Sequence, residues 1–352
     1  MLNDTELAAN LKAKARELGF ELVGITPAVT PLGVSALKEW LERGFAGEMH
    51  YIERRLDAYA NPSRVLVGVK SIVILATNYR TVEPPPVDAT SGRVARYAWG
   101  GGDYHDLLRE RMQPLTALLH EARPQARTRM VVDTAPLLER DFARMAGLGW
   151  FGKNTMLIHR RAGSWLLLSA ILTDISLPPD APHETSHCGT CTRCLDACPT
   201  DAFVEPFVLD ATRCISYLTI ELRGTSIPEP LRDGMGEWVF GCDVCQEVCP
   251  WNRKSPLSND PAFLPQSGLD RLELPSLFAL SEAEFQQRFS GTPLERSGRV
   301  GLLQNAAIRL GNSNDPAALP PLRIGLNDPS PIVREAVLWA ITKIESTESP
   351  TS

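Results

Sequence analysis

No cysteine occurs outside the stretch Cys188–Cys249, although that stretch holds eight in a chain of 352 residues. Scattered disulfides are therefore excluded, and grouped thiols that serve as metal ligands suit a reducing compartment. Long apolar runs are also lacking. The longest strongly apolar run, Trp165–Ile171, is far too short to span a bilayer, and Met1–Phe20 carries an amphipathic pattern (Leu7, Leu11, Ala15, Leu18) in place of a signal-peptide h-region. The expectation is a cytoplasmic protein with no membrane partner. Positive charge is not in excess: the net charge of −6 argues against indiscriminate nucleic-acid binding while leaving room for a local basic face. Nor does any G-x-G-x-x-G follow a candidate strand, which speaks against a Rossmann nucleotide site.

What is present begins with the cysteines. The first run is Cys188-x2-Cys191-x2-Cys194-x3-Cys198-Pro199; the second is Cys242-x2-Cys245-x3-Cys249-Pro250, with Cys214 between them. The first spacing is that of [4Fe–4S] ferredoxins, where the fourth cysteine ligates the other cluster. Three thiolates on a tight loop reach one cubane, and the fourth, beyond a helical turn, points away. Two complete sets result: Cys188, Cys191, Cys194 and Cys249 for one cluster, and Cys198, Cys214, Cys242 and Cys245 for the other. Structural zinc favours separated C-x2-C pairs and does not explain this run. His183 and His187 flank the first cysteine, but eight thiolates already satisfy two clusters, so both are read as non-ligands.

Around this core the chain divides into an α/β domain (residues 1–180), a ferredoxin-like domain (181–260) and a helical domain (275–352). Helices are expected over 5–19, with Gly19 as a cap, and near Val34–Arg43 and Tyr104–Leu119. Strands are expected at Glu21–Ile25, Lys70–Ala76, Arg93–Trp99, Thr128–Val132, Met156–His159 and Ser164–Thr173. Lys70–Ala76 is a continuous apolar run and reads as a strand buried on both faces. Gly100-Gly101-Gly102 either admits a bulky ligand close to the backbone or makes a flexible turn. Asp133 stands at the end of a strand with a helix expected from about Pro136; it is either an N-cap or a general acid in a cleft. In the last part, Asp328–Ile341 has the pattern of a HEAT-type repeat helix. Arg288, Arg296, Arg299 and Arg309 form either a phosphate-contacting patch or a solvated helix face. Nothing in the pattern demands more than a monomer.

Two clusters imply one-electron delivery from an external electron donor to something held in the first domain. The segments Val132-Asp-Thr-Ala-Pro136-Leu-Leu-Glu-Arg140, Ala146–Thr155, Cys188–Thr200 and Gly241–Asn252 carry a resemblance to the epoxyqueuosine reductase family, which extends from about Leu7 to Ile341. The resemblance implies a nitroreductase-like α+β domain carrying cobalamin, a ferredoxin-like domain with two [4Fe–4S] clusters, and a HEAT-like tail that helps hold tRNA. It also implies an activity, reduction of the epoxide of epoxyqueuosine to queuosine at the wobble position of tRNA.

By the same resemblance Asp133 is the proton donor, and a carboxyl pressed against a cofactor away from water would have a raised pKa. Tyr97 matches a position near the corrin. Lys153, Asn154 and Ser216 match segments lining the cobalamin pocket, with turn or capping roles as the plain alternative. Arg54 and Arg55 follow Met49-x-Tyr51 in a region resembling a substrate- or cofactor-contacting loop. Reductive dehalogenases combine the same cofactors and form the runner-up, but they carry a twin-arginine signal and lack a HEAT-like tail. A third reading is an electron-carrier subunit, which would need no strand-end aspartate in a cleft.

Overall fold

The computed structural model describes residues 2–266 and 268–348; Met1, Ser267 and the last four residues, where the expected helical domain ends, lie outside them. Its first structural unit is built on a four-stranded sheet of β1 (Leu22–Pro27), β2 (Ser71–Asn78), β3 (Thr128–Val131) and β4 (Leu166–Thr173), in the spatial order β1-β2-β4-β3. All eight residues of β2 are buried, as its unbroken apolar run predicts. Each neighbouring pair is antiparallel: Ser71 faces Thr173, Asn78 faces Leu166, and Val131 faces Ala170. The alternation of strands and helices therefore gives an α+β sheet, not a parallel α/β one. The segments between β1 and β2, and between β2 and β3, leave the sheet and contribute to other layers, so no neighbouring pair is joined by a single crossover helix.

One face of the sheet is covered by helix α1 (Asp4–Glu17) and helix α2 (Tyr104–Ala122), whose Leu7, Leu11, Leu108, Met112 and Leu115 meet Val73, Leu75 and Ile171. The other face packs Ile72, Ile74 and Leu172 against Leu137, Phe142 and Leu148. The helix expected near Pro136 instead starts at Glu139 and ends at Met145, because residues 133–138 form successive tight turns. The strand expected over Arg93–Trp99 stops at Val94, and Arg96–Ala98 is a 3-10 turn, so Tyr97 sits on a corner.

The chain's last described elements are helix α3 (Gly298–Ser313), the helix Leu319–Gly325 and helix α4 (Pro331–Glu348). Its core is continuous with that of the cysteine-bearing region. Leu303, Ala307, Val337 and Ala340 belong to the same cluster as Leu218, Val239 and Phe240, against which Cys214 and Cys242 pack. Two of the three glycines face protein: a Cβ on Gly100 would stand 2.3 Å from the Ala262 carbonyl and one on Gly101 would meet Gln266, while Gly102 faces open space.

Candidate active site

Asp133 follows the end of β3 with φ +39°, in the left-handed region that a non-glycine residue enters at a cost of about 1–3 kcal/mol. It is not a helix cap. Leu138 holds the N-cap position of Glu139–Met145 without a side-chain bond. The Asp133 carboxylate turns instead toward the start of α2, where its Oδ2 accepts from the Tyr104 hydroxyl at 2.5 Å and its Oδ1 lies 2.7 Å from His105 Nε2. His105 Nδ1 is 2.6 Å from Asp103 Oδ1, so the imidazole is held between two carboxylates. Asp103 also caps α2 through the His105 amide, which anchors the line to a regular element. On the other side, the Asp133 amide donates to Glu139 Oε1 at 2.9 Å.

These contacts set the charges. Burial alone would raise the Asp133 carboxyl, but the bond and charge of His105, the Tyr104 hydroxyl and the Arg296 guanidinium hold it below its ordinary range. The raised pKa expected for Asp133 is thus corrected: a neighbouring cation outweighs desolvation. Burial disfavours charge on His105, yet the two carboxylates lift it to about 9. Glu139, buried and beside the Asp133 charge, is pushed up to about 8. At neutral pH the protons therefore rest on His105 and Glu139, with Asp133 ionised between them.

Asp103, Tyr104, His105 and Glu139 were not found from sequence. Glu139 lies inside the segment that carries the resemblance; for the others the only local signal is an aspartate heading a helix, which reads as a cap.

Two cavities flank this line. The larger, about 820 Å³, is walled by Leu37, Ile52, Tyr59, Leu137 and Phe151, with Glu139, Arg140 and Thr155 at its polar edge. Trp150 Nε1 and His183 Nε2 are buried in its lining without hydrogen-bond partners. Gly33 forms part of the wall because its amide donates to Asp141 Oδ2 at 2.6 Å, where a Cβ would stand 2.3 Å from that oxygen. The smaller, about 240 Å³, lies between Tyr97, Tyr104 and His105 on one side and Thr292, Pro293 and Arg296 on the other. Arg296 pairs with Glu221 at 3.0 Å.

The remaining sequence-predicted residues separate spatially. Arg55 reaches the acid loop, its Nη1 donating to the Thr134 carbonyl at 3.3 Å, while Arg54 ends the short helix His50–Glu53. Tyr97 packs edge-on to Tyr104 at 5.8 Å and against Phe240. Lys153 clasps the first cysteine loop through the carbonyls of Gly189 and Cys191, and buried Asn154 donates to the Cys245 carbonyl. Ser216 stands two residues after Cys214, toward which its amide points. Of the four arginines in 288–309, partly buried Arg299 pairs with buried Asp328 at 2.6 Å and buried Arg309 donates to the Asp88 carbonyl. Those two are structural, which corrects the reading of a single phosphate-contacting patch or a solvated face.

Four of the eight thiols, Cys188, Cys191, Cys194 and Cys249, share one cavity of about 230 Å³. Burial and then the charges of Cys249, Cys188 and Cys191 raise Cys194 to about 11, which places these four in mutual range. Burial raises Cys242, Cys245 and Cys214, and the charges each feels include those of Cys245 and Cys214, of Cys214 and Cys198, and of Cys198 respectively. Thiols this high would stay protonated at neutral pH without a metal to replace the proton, so the donor chemistry fits thiolate-bound clusters. His187 leans edge-on against Trp150 at 4.7 Å, beside the first set.

Comparison with known proteins accords with this geometry. Residues 187–252 match the 4Fe-4S double cluster binding domain, and residues 60–134 match the family described as epoxyqueuosine reductase QueG, DUF1730. The chain is 42% identical over 345 residues to the epoxyqueuosine reductase of Xanthomonas campestris pv. campestris, covering 96% of each, and 42% identical over 344 residues to that of Pseudomonas aeruginosa, covering 96% of this chain and 94% of the other. Among solved structures, an epoxyqueuosine reductase with a tRNA-Tyr epoxyqueuosine-modified tRNA stem loop superposes with a TM-score of 0.88 at 34% identity, over 97% of this chain and 91% of that one. A Bacillus subtilis epoxyqueuosine reductase, described with its catalytic aspartate loop swung out of the active site, matches with a TM-score of 0.88 at 33% identity over the same shares. With identity above 30% over nearly its whole length, this chain belongs to the epoxyqueuosine reductase family.

Proposed function

We propose that the protein reduces the epoxide of epoxyqueuosine to the alkene of queuosine at the wobble position of tRNA, with cobalamin in the 820 Å³ cavity and electrons relayed by two [4Fe–4S] clusters. The observation that carries this reading is the Asp103–His105–Asp133 line, set where the apolar cavity meets the mouth lined by Arg296. The reaction consumes two electrons and two protons, and the epoxide oxygen leaves as water. Cobalamin, when bound, supplies a strongly reducing cobalt centre that accepts electrons singly.

The apolar walls, the cradle at Gly33 and the unpartnered Trp150 and His183 nitrogens suit a large macrocycle with polar side arms. His105, charged below about pH 9, passes its proton through the 2.7 Å contact to the Asp133 carboxylate, which relays it to the opening oxygen. Neutral Glu139 holds the second proton and fixes the Asp133 backbone. Arg55 steadies the loop from the Thr134 carbonyl. Tyr97 and Arg296 enclose the modified base, while Lys153, Asn154 and Ser216 tie the first unit to the cluster loops. The helical region, 275–352, contributes the tRNA-facing side of the mouth.

The reading is tested with protein reconstituted anaerobically with iron, sulfide and cobalamin, then supplied with viologen as reductant and tRNA bearing epoxyqueuosine. Queuosine, detected by nucleoside mass spectrometry, is expected only when cobalamin is present. Absence of turnover with both clusters and cobalamin spectroscopically in place would overturn it.

A further inference from the structure

Electrons must enter from outside, and the two cysteine sets are not equally accessible. The set Cys198, Cys214, Cys242 and Cys245 is partly covered, with buried Ile215, Gly241, Asp243 and Gln246 flanking three of its members. The set Cys188, Cys191, Cys194 and Cys249 opens beside exposed His187, Gly189 and Pro250. It is the shallower cluster that a donor protein can approach.

The surface next to that cluster differs in charge from the rest of an acidic chain. The turn that follows Cys249 is stitched to the 159–164 hairpin by buried Asn252. Its Oδ1 accepts from the Ser164 amide at 2.7 Å, and its Nδ2 donates to Ser164 Oγ at 2.9 Å. The two loops touch so closely that only glycine fits at 163, where φ is +71° and a Cβ would stand 2.2 Å from Asn252 Oδ1.

This contact brings Arg160 and Arg161 together with Arg253 and Lys254, four exposed cations from two distant parts of the chain. Among the described residues none of the four pairs with a carboxylate. Behind them, Arg80, Arg93, Arg96 and Arg253 line a cavity of about 490 Å³ whose two carboxylates, Glu83 and Glu247, are already engaged by Arg80, Arg93 and Arg96. Arg80 locks the turn to the sheet through the carbonyls of Asn252 and Ser255. Buried Arg96 leaves its Nε without a partner. The patch is thus rigid, uncompensated and four residues from a cluster ligand.

We propose that the face carrying Arg160, Arg161, Arg253 and Lys254 docks a small acidic one-electron carrier protein that reduces the cluster of Cys188, Cys191, Cys194 and Cys249. Each encounter oxidises the carrier by one electron and reduces that cluster by one, and two encounters serve one epoxide. The inference rests on the cluster reading above and names the partner that reading leaves open. Charge complementarity of this kind accelerates association and is weakened by salt. RNA is the other polyanion available, but the modified base must reach Asp133, and the cavity at that mouth shares no lining residue with this one.

The test uses the reconstituted holoprotein and a variant with Arg160, Arg161, Arg253 and Lys254 all changed to Glu. The probe is a plant-type [2Fe–2S] ferredoxin. Binding is measured by calorimetric titration, and cluster reduction by stopped-flow bleaching, from low to high salt. The expected result is wild-type binding that weakens at least tenfold with salt, and a variant whose binding and bleaching rate fall at least tenfold at low salt. Viologen-driven turnover should be retained in the variant. Unchanged ferredoxin binding and bleaching in the variant overturn the proposal. So does intact ferredoxin binding with lost affinity for a tRNA stem loop, which would make the face an RNA surface. Rapid bleaching by ferredoxin in wild type, but no turnover with either reductant, supports the docking face and instead sinks the epoxide reading.

Discussion

The two cavities beside Asp133 are built on opposite principles. The larger is walled by side chains such as Leu37, Ile52, Leu137 and Phe151 and offers area for burial with few polar anchors. The smaller is lined by Tyr97, Asp103, Tyr104, His105 and Arg296 and offers charge. The first suits holding a large group by contact; the second suits moving protons and orienting a polar substrate. Asp133 is strained because it serves the boundary, where its backbone bends away from β3 to aim one carboxylate at α2.

The contrast is broken most severely at Asp133. Asp133→Asn preserves shape and removes the carboxylate that accepts and relays the His105 proton, so turnover should fall about 10²–10⁴-fold while cobalamin and cluster absorbance are kept. Retained activity would return Asp133 to a positioning role.

His105→Gln should cost turnover about 100-fold, at the lower end of the same range of proton-transfer effects, and should change the pH profile. The folded pKa of His105 is raised to about 9, so the ion pair's stabilisation is complete below the unfolded value of about 6.5 and is lost as pH rises through about 9. The Asp133 contribution has the opposite sign: with a depressed folded pKa it is present above about pH 4 and disappears as pH falls below its unfolded value. The two describe one pair and are counted once. The difference in Tm between wild type and His105→Gln should therefore be greatest near pH 6 and shrink toward pH 10; a pH-independent difference would contradict the relay.

On the apolar side, Gly33→Ala forces a methyl against Asp141 Oδ2. It should weaken cobalamin binding about tenfold and lower stability by about 1–3 kcal/mol, measured by titration and thermal unfolding. Turnover of the fraction that is loaded should stay near wild type, because the charged mouth is untouched. Arg55→Ala should have the smallest effect. Losing the bond to the Thr134 carbonyl costs about 1 kcal/mol, which corresponds to about a fivefold drop in kcat with cofactor binding unchanged. If Gly33→Ala impaired chemistry more than binding, the division of labour between the cavities would fail.

Much of the chain was legible before any coordinates. The cysteine sets, the buried strand at residues 70–76 and the helices near residues 5–19 and 104–119 depend on local spacing and apolar periodicity. The misreadings share one cause. The strand expected over Arg93–Trp99 breaks because Ala95 and Arg96 turn to meet Phe240 and Asp243, and the helix expected at Pro136 is delayed by the turns that aim Asp133. Alternating elements suggested an α/β domain, yet every pair in the four-stranded sheet is antiparallel, since pairing partners are chosen across the whole chain.

The sequence by itself determined the spacing of the eight thiols that two [4Fe–4S] sets would require, because ligand spacing is a short-range property of loops and turns. It also determined that an aspartate ends a strand before a helix. Only the tertiary structure decided that Asp133 is ionised and His105 charged, for that depends on Asp103, Tyr104, Glu139 and Arg296 converging from three separate segments. It also decided which arginines are spent in the core and which remain at the surface. Charge and proton affinity are set by neighbours in space, and those exist only once the chain has folded.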